Sequence, residues 1–305
     1  MTKNALIGLL TAIFLASPAA SQTDTAPPVA LVIPEVPGDE IPLETAGPAV
    51  PDTEQWNRVI GQVWVRNVTR PSLYRIAPKN GRDNGRAVII VPGGGYSFVS
   101  IESEGFWVGE RLAAQGYTAF VLKYRPRATP GDPGAFMTRL LAEWSGQSND
   151  EDFDYPPAVD DLAAAVSLVH GKSEEWGLAE DRLGVIGFSA GAHSAIRLLE
   201  AREEASLVQN LALIYPPVEQ DIAMKPRPDL FMAIAIDDFL FHEGILDLAG
   251  DWHESGGSVE FHLYAGGSHG FGMRPQGTTS DLWIEQYLAW LDLRGAAVGA
   301  AVQAD

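Results

Sequence analysis

The sequence contains no cysteine among its 305 residues and carries few basic side chains. The absence of cysteine excludes disulfide bonds, thiolate metal sites and a cysteine nucleophile. Lysine and arginine together number 21 against 40 aspartate and glutamate residues, so the formal net charge is -19. Because contacts to phosphate require lysine and arginine, this balance argues against nucleic acids, anionic membrane surfaces and polyanionic substrates, and it leaves neutral substrates open.

Long apolar runs are missing too, with one exception near the N-terminus. Lys3 precedes an apolar run at residues 5–16, and small residues follow at 17–21. This order is typical of a secretory signal peptide, which we predict for residues 1–21, and the run is too short to span a bilayer. We therefore expect an exported protein, periplasmic or secreted, that has no membrane association after the signal is cleaved.

The rest of the chain divides into a leader, one domain and a short tail. Residues 22–55 are rich in proline and acidic residues, which predicts an extended, partly disordered leader. Residues 56–295 form the predicted domain, and residues 296–305 the tail.

Within the domain, apolar runs alternate with stretches of helical periodicity. Strands are predicted at residues 63–68, 73–76, 87–91, 117–124, 183–187, 211–215, 230–236 and 259–264, and helices at 106–115, 157–170, 190–203 and around 284–291. Such alternation predicts an α/β fold with a mostly parallel central sheet and helices on both faces. The two leading strands favour an α/β-hydrolase sheet over a dinucleotide-binding one.

The stretch GVIGFSAGAH at residues 184–193 places Ser189 between two glycines, directly after a predicted strand and before a predicted helix. Alone, the pattern Gly-x-Ser-x-Gly also fits a flexible loop rich in glycine and serine. In a strand-turn-helix context it predicts a nucleophilic serine on a sharp turn. The backbone amide of Ala190, at the start of the helix, would then face a developing oxyanion.

A serine nucleophile needs a base, and six histidines are present. Only His269 lies on a glycine-rich loop (GGSHGFG, residues 266–272) directly after the last predicted strand, where an α/β-hydrolase base is expected. An orienting carboxylate is expected between serine and histidine, and both Asp237 and Asp238 follow the buried strand at 230–236. Neighbouring side chains at a strand end point in opposite directions, so one of the two reaches the base, and the residue pattern does not choose between them.

The second half of an oxyanion hole is predicted in PGGGY at residues 92–96. Three glycines after a buried strand let backbone N–H groups approach an oxyanion without a side chain in the way. Alone, a glycine triplet is more often a flexible turn. Its place after a buried strand and upstream of the serine favours the oxyanion hole.

Five stretches together resemble a known family. They are PGGGY (92–96), EGFWVGERLAAQGYTAFVLKYR (104–125), DRLGVIGFSAGAH (181–193), AIDD (235–238) and GGSHGFG (266–272). Over residues 63–291 the chain resembles the serine-esterase branch of the α/β-hydrolase fold that includes acetylxylan esterases and other carbohydrate acetylesterases.

This resemblance implies that Ser189 is the nucleophile and His269 the base. It implies that Gly94, Gly95 and Ala190 offer their amides to the oxyanion. In the family the acid stands three residues after a small residue. Ala235 matches that small residue and thereby selects Asp238, although Phe241 stands where the family has an aliphatic side chain.

The connection at residues 125–156 is longer than common and contains a helical pattern at 134–144. Its apolar side chains predict either a partial lid over the serine pocket or anchors that fix the loop to the core. The predicted substrate-binding residues are Tyr96, Phe136, Trp144 and Phe271.

These features predict an exported serine esterase that removes short acyl groups, most of all acetyl, from carbohydrate esters, with a small-molecule or oligosaccharide ester as its substrate. The reaction passes through an acyl-enzyme and needs neither a metal nor an organic cofactor. Two alternatives are a serine peptidase of the same fold and a catalytically silent hydrolase fold that binds carbohydrate or a partner. The oligomeric state does not follow from the sequence.

Overall fold

The computed structural model describes residues 28–47, 51–79, 81–144, 153–179, 182–217, 228–241 and 244–302. The predicted signal peptide lies outside these residues. No helix in the described part of the chain has the length and apolar character needed to span a bilayer.

Eleven strands are described. They are β1 (Val29–Leu31), β2 (Asp39–Pro42), β3 (Gln55–Val59), β4 (Gln62–Arg66), β5 (Ser72–Ile76), β6 (Ala87–Val91), β7 (Thr118–Lys123), β8 (Leu183–Phe188), β9 (Asn210–Ile214), β10 (Asp229–Ala235) and β11 (Val259–Tyr264). Eight form the central sheet in the order β11-β10-β9-β8-β6-β7-β5-β2. The six strands from β11 to β7 are parallel to one another. At the other edge, β5 pairs antiparallel with β7, and β2 pairs antiparallel with β5.

The described helices are α1 (Trp107–Ala113), α2 (Pro133–Trp144), α3 (Pro156–Gly171), α4 (Ser173–Trp176), α5 (Ala190–Ala201), α6 (Asp247–Glu254) and α7 (Trp283–Val302). Every residue of β6, β7 and β8 is buried, as expected for parallel strands covered by helices. This architecture confirms the predicted α/β fold with a mostly parallel sheet. The carboxyl ends of the parallel strands share one edge, where ligands bind in open α/β sheets.

Two segments of the predicted leader are short strands. β1 pairs with β3, and β2 pairs with β5 at the edge of the central sheet. Proline and acidic residues lower local strand propensity, but short edge strands tolerate them when a partner strand supplies the hydrogen bonds. Thr45 also bonds to Asp161, a fully buried carboxylate that pairs with Arg125 at 2.7 Å.

β1, β3 and β4 form a separate three-stranded sheet. β4 is joined to the segment after the glycine triplet by two hydrogen bonds between Val65 and Val99, at 3.0 and 2.7 Å. The rings of Trp64 and Phe98 stack with centroids 4.0 Å apart. A second apolar cluster joins this sheet to helix α2 through Val59, Trp64, Phe98, Phe136, Met137 and Leu140. We call the β3–β4 hairpin and α2 the cap.

Candidate active site

Ser189 sits on a sharp turn between β8 and α5. Its φ is 49°, a left-handed value that costs a non-glycine residue free energy, and its N–H donates to Ile214 at 3.0 Å. A Cβ on Gly191 would lie 2.0 Å from the carbonyl oxygen of Val91, and one on Gly187 would lie 2.6 Å from α5 backbone. Both positions therefore require glycine because the turn passes close to other backbone.

The predicted serine, histidine and aspartate come together in one hydrogen-bonded line. Nε2 of His269 is 2.9 Å from Oγ of Ser189, and Nδ1 is 2.8 Å from Oδ2 of Asp238. A carboxylate can only accept, so Nδ1 carries the proton and Nε2 accepts the Ser189 hydroxyl proton. The histidine is thus held in the tautomer that a general base needs.

Asp238, and not Asp237, faces the histidine. Asp238 is buried, and its Oδ1 accepts the N–H groups of Leu240 and Phe241 at 2.9 and 3.0 Å. Burial opposes ionisation, but the charge of His269 and these hydrogen bonds hold the pKa of the Asp238 carboxyl below its ordinary value. Asp237 is exposed and accepts the N–H of Ser268 at 2.7 Å, which braces the start of the histidine loop.

The glycine triplet faces the same cavity as the serine. Gly94 and Gly95 have φ values of 132° and 58°, and both line the cavity beside Ser189. A Cβ on Gly94 would lie 2.1 Å from the carbonyl oxygen of Phe98, so this position admits only glycine. Ala190 is the first residue of α5, where a backbone N–H has no acceptor inside the helix. The three predicted oxyanion donors therefore belong to two segments, the glycine triplet and the start of α5, that both adjoin Ser189.

A cavity of about 310 Å³ opens over Ser189. Its apolar wall comes from four places: the cap, the segment after the glycine triplet, the segment just before α3, and the loop after β10. These side chains are Ile60, Trp64, Phe98, Met137, Leu140, Trp144, Phe153, Phe239, Leu240 and Phe241. Polar side chains interrupt the wall at Gln62, Ser97, Ser100, Glu104, Arg127, Glu143 and Arg274. The site can therefore hold a substrate with apolar faces and a few hydrogen-bonding groups.

Of the four predicted substrate-binding residues, only Trp144 lies on the cavity wall. The structure corrects the other three, which are buried. The Tyr96 hydroxyl lies 2.9 Å from both His193 and Ser194, Phe136 packs under Arg66, and Phe271 packs on the ring of Tyr215. Tyr96 and Phe271 lie in loops and Phe136 lies in a helix, so the direction of each side chain depends on the local backbone and not on its distance in sequence from a motif.

Sequence reasoning missed most of the wall. Trp64 and Phe98 belong to segments that only the tertiary structure brings to the serine. The alternating sequence of β4 predicts a half-buried strand, whereas β4 is buried at every position, including Arg66, so the sequence pattern gave no signal that this strand forms part of the wall. Glu104 was also missed, although it begins one of the family-like stretches.

Comparisons with known proteins agree with this architecture. A family model of the α/β-hydrolase fold matches residues 152–229, the segment that contains the nucleophile turn. An acetyl ester-xyloside bifunctional hydrolase from Caldicellulosiruptor lactoaceticus superposes with a TM-score of 0.60 at 21% identity, covering 85% of this chain and 98% of that one. The carboxylesterase Cest-2923 from Lactobacillus plantarum superposes with a TM-score of 0.54 at 17% identity, covering 74% and 93%. The chain has the α/β-hydrolase fold.

A curated acetylxylan esterase from Xylanibacter ruminicola is 29% identical over 143 residues. The match covers 45% of this chain and 24% of that protein, so the chain spans about a quarter of the relative. The sequence resemblance to esterases of this fold is therefore confirmed for part of the chain, while the activity of the whole relative is not carried over with it.

Proposed function

We propose that this protein is an exported serine esterase that removes short acyl groups, above all acetyl groups, from carbohydrate esters. The observation that carries the proposal is the hydrogen-bonded line from Asp238 through His269 to Ser189. A serine on a strained turn, paired with a base of fixed tautomer, is the arrangement that acyl transfer requires. The export signal is supported by the order of charged, apolar and small residues at positions 1–21.

In the proposed reaction, Ser189 Oγ attacks the ester carbonyl while His269 takes its proton at Nε2. Asp238 stabilises the imidazolium that forms, and the amides of Gly94, Gly95 and Ala190 bind the oxyanion. Breakdown of this intermediate expels the alcohol, which receives the proton from His269. Water then attacks the acyl-enzyme and gives a proton to His269, and His269 returns that proton to Ser189 Oγ as the carboxylic acid leaves.

A carbohydrate alcohol is supported by the cavity and by the similar proteins. Aromatic rings such as Trp64 and Trp144 offer flat apolar faces to a sugar ring, while Gln62 and Glu143 offer hydrogen bonds to its hydroxyls. The curated relative is an acetylxylan esterase, and one structural relative is an acetyl ester-xyloside hydrolase.

The test measures the release of acetate from acetylated xylo-oligosaccharides. The hydrolysis of nitrophenyl esters of increasing acyl length is measured in parallel, and so is the hydrolysis of a panel of peptide amides, which a peptidase would cleave. We expect Ser189→Ala to lose roughly a millionfold in kcat, because only the attacking oxygen is removed. The matched control is Ser206→Ala, an exposed serine whose hydroxyl bonds only to its own turn, and it keeps full activity. Turnover retained in Ser189→Ala, or cleavage of amides in place of esters, would overturn the proposal.

A further inference from the structure

Glu104 is a buried acid beside the reaction centre that the acyl-transfer steps leave without a role. It lies in the π-helical turn Glu102–Phe106, which follows the glycine triplet and leads into α1. Its relative exposure is 6%, yet it contributes to the cavity wall. An ionisable group is seldom buried without partners, so its contacts indicate what it does.

Its two oxygens connect both sides of the active site. Oε2 accepts the N–H of Gly93 at 2.7 Å, and Oε1 accepts the hydroxyl of Tyr215 at 3.0 Å. The Tyr215 oxygen in turn accepts the N–H of Gly272, in the histidine loop, at 3.2 Å. The histidine loop is residues 266–272, and the oxyanion loop is the glycine triplet at residues 93–95. Each of these loops is therefore connected to the Glu104 carboxylate by hydrogen bonds, the first through Tyr215 and the second directly.

Close packing holds Glu104 in this position. A Cβ on Gly93 would lie 2.8 Å from Glu104 Oε2 and 2.9 Å from the Cβ of Ser189, so the carboxylate and the nucleophile approach the same residue. A Cβ on Gly272 would lie 3.1 Å from Cγ of Glu104. The N–H of Met273 also donates to the carbonyl oxygen of the residue before Glu104 at 3.0 Å. The carboxylate and its turn therefore contact both the glycine triplet and the loop that carries His269.

The hydrogen-bond directions favour the ionised acid. The Gly93 N–H can only donate, and the Tyr215 hydroxyl is oriented to donate as well, and two donors facing one carboxyl group stabilise its ionised form. Burial is the largest influence and holds the pKa of Glu104 above its ordinary value, whereas the donors from Gly93 and Tyr215 and the charges of Arg274 and of protonated His269 act in the opposite direction. The ring of Tyr215 also lies 4.9 Å from that of His269, edge to face. The carboxylate is thus coupled to the base both by charge and through Tyr215.

We propose that Glu104 is a positioning residue that, as an anion, orients the oxyanion loop through Gly93 and favours the protonated form of His269 during acyl transfer. The inference rests on the proposed esterase function. Glu104 takes no proton in the reaction. Its charge acts beside that of Asp238, which bonds the histidine directly. Other charged groups also lie around His269. Asp237 accepts the N–H of Ser268 in the histidine loop, Arg274 follows that loop, and Arg127 and Glu143 line the cavity.

The deciding variant is Glu104→Gln, which keeps the size of the side chain and removes its charge. We expect kcat to fall about 10- to 100-fold with KM changed less than about threefold. We also expect the acidic limb of the kcat/KM profile to move about one unit towards lower pH, because the base loses a neighbouring anion. An NMR titration of the His269 ring measures the same displacement without turnover, so it stays informative if the esterase assignment itself fails.

Two tyrosine variants separate charge from packing. Tyr215→Phe keeps the ring and the carboxylate charge, so we expect kcat to fall about 3- to 10-fold while the acidic limb stays in place. Tyr117→Phe removes the hydroxyl of another tyrosine, one that bonds to Arg86 and Asp292 at the opposite edge of the sheet, and it leaves kcat unchanged. If the acidic limb and the His269 titration stay in place in folded Glu104→Gln, the proposed role of the anion is overturned, whatever happens to kcat.

Discussion

Asp237 and Asp238 are identical side chains, one residue apart, in different surroundings. The carboxylate of Asp238 is buried and accepts a hydrogen bond from His269. The carboxylate of Asp237 is exposed and accepts a hydrogen bond from the N–H of Ser268. An amide in place of Asp238 can donate to the histidine and so favour the wrong tautomer. An amide in place of Asp237 keeps an oxygen that accepts the same N–H.

We expect Asp238→Asn to lower kcat by about 10⁴-fold and Asp237→Asn by less than about threefold. The measurement is steady-state hydrolysis of nitrophenyl acetate by both variants, with circular dichroism to establish that each is folded. The reverse ranking would transfer the acid role to Asp237. Equal and small losses would mean that neither carboxylate orients the base.

At the scale of elements, helix α2 combines the two roles that were predicted as alternatives for its segment. Phe136 lies on the core side, where it packs against Phe98 and under Arg66. Met137, Leu140 and Trp144 line the cavity, and Trp144 remains partly exposed. One face of the helix therefore fixes the cap, while another forms part of the substrate wall.

This division predicts different outcomes for two truncations in the same helix. Phe136→Ala should lower the free energy of unfolding by about 3–5 kcal/mol, because it leaves a cavity in the cap. Trp144→Ala should lower kcat/KM for an acetylated oligosaccharide more than for nitrophenyl acetate, because only the larger substrate reaches that wall.

Urea unfolding and kinetics on both substrates measure these effects. Thr138→Ala, at an exposed position of the same helix, is the control and should change neither quantity appreciably. An equal loss for both substrates in Trp144→Ala would show that this tryptophan supports the cap and does not contact substrate.

At the scale of the whole molecule, buried tyrosines limit stability at high pH. Burial raises the pKa of the hydroxyl in Tyr74, Tyr96, Tyr117, Tyr124, Tyr155, Tyr215, Tyr264 and Tyr287. The unfolded chain ionises these groups near pH 10, whereas the folded protein keeps them neutral to higher pH. Their contribution is therefore complete below pH 10 and is lost as the pH rises through the folded values.

Tyr117 allows this contribution to be measured for one residue, because burial raises its pKa to about 12 while Arg86 opposes the shift. We expect the free energy of unfolding of the wild type to fall between pH 10 and 12. In Tyr117→Phe the fall should be smaller, and the difference between the two proteins should be about 2–3 kcal/mol. Urea titrations at pH 8, 10, 11 and 12 on both proteins provide the comparison. Parallel curves for the two proteins would contradict the assignment of this loss to Tyr117.

The sequence by itself predicted the fold and the types of residue that meet at the candidate site. The reason is that these signals are local. Continuous apolar runs predict buried parallel strands, and small residues around Ser189 predict the tight turn at a strand end. His269 stands out because its glycine-rich loop follows the last strand directly.

Only the tertiary structure decided which aspartate faces the base, what forms the cavity wall, and how the leader pairs. Side-chain direction after β10 depends on the backbone turn that Leu240 and Phe241 make around Asp238, and composition does not encode that turn. Trp64 and Glu104 reach the serine across many residues of chain, through a strand bridge and a buried hydrogen bond. Such contacts arise from packing between distant segments, so no local pattern in the sequence predicts them.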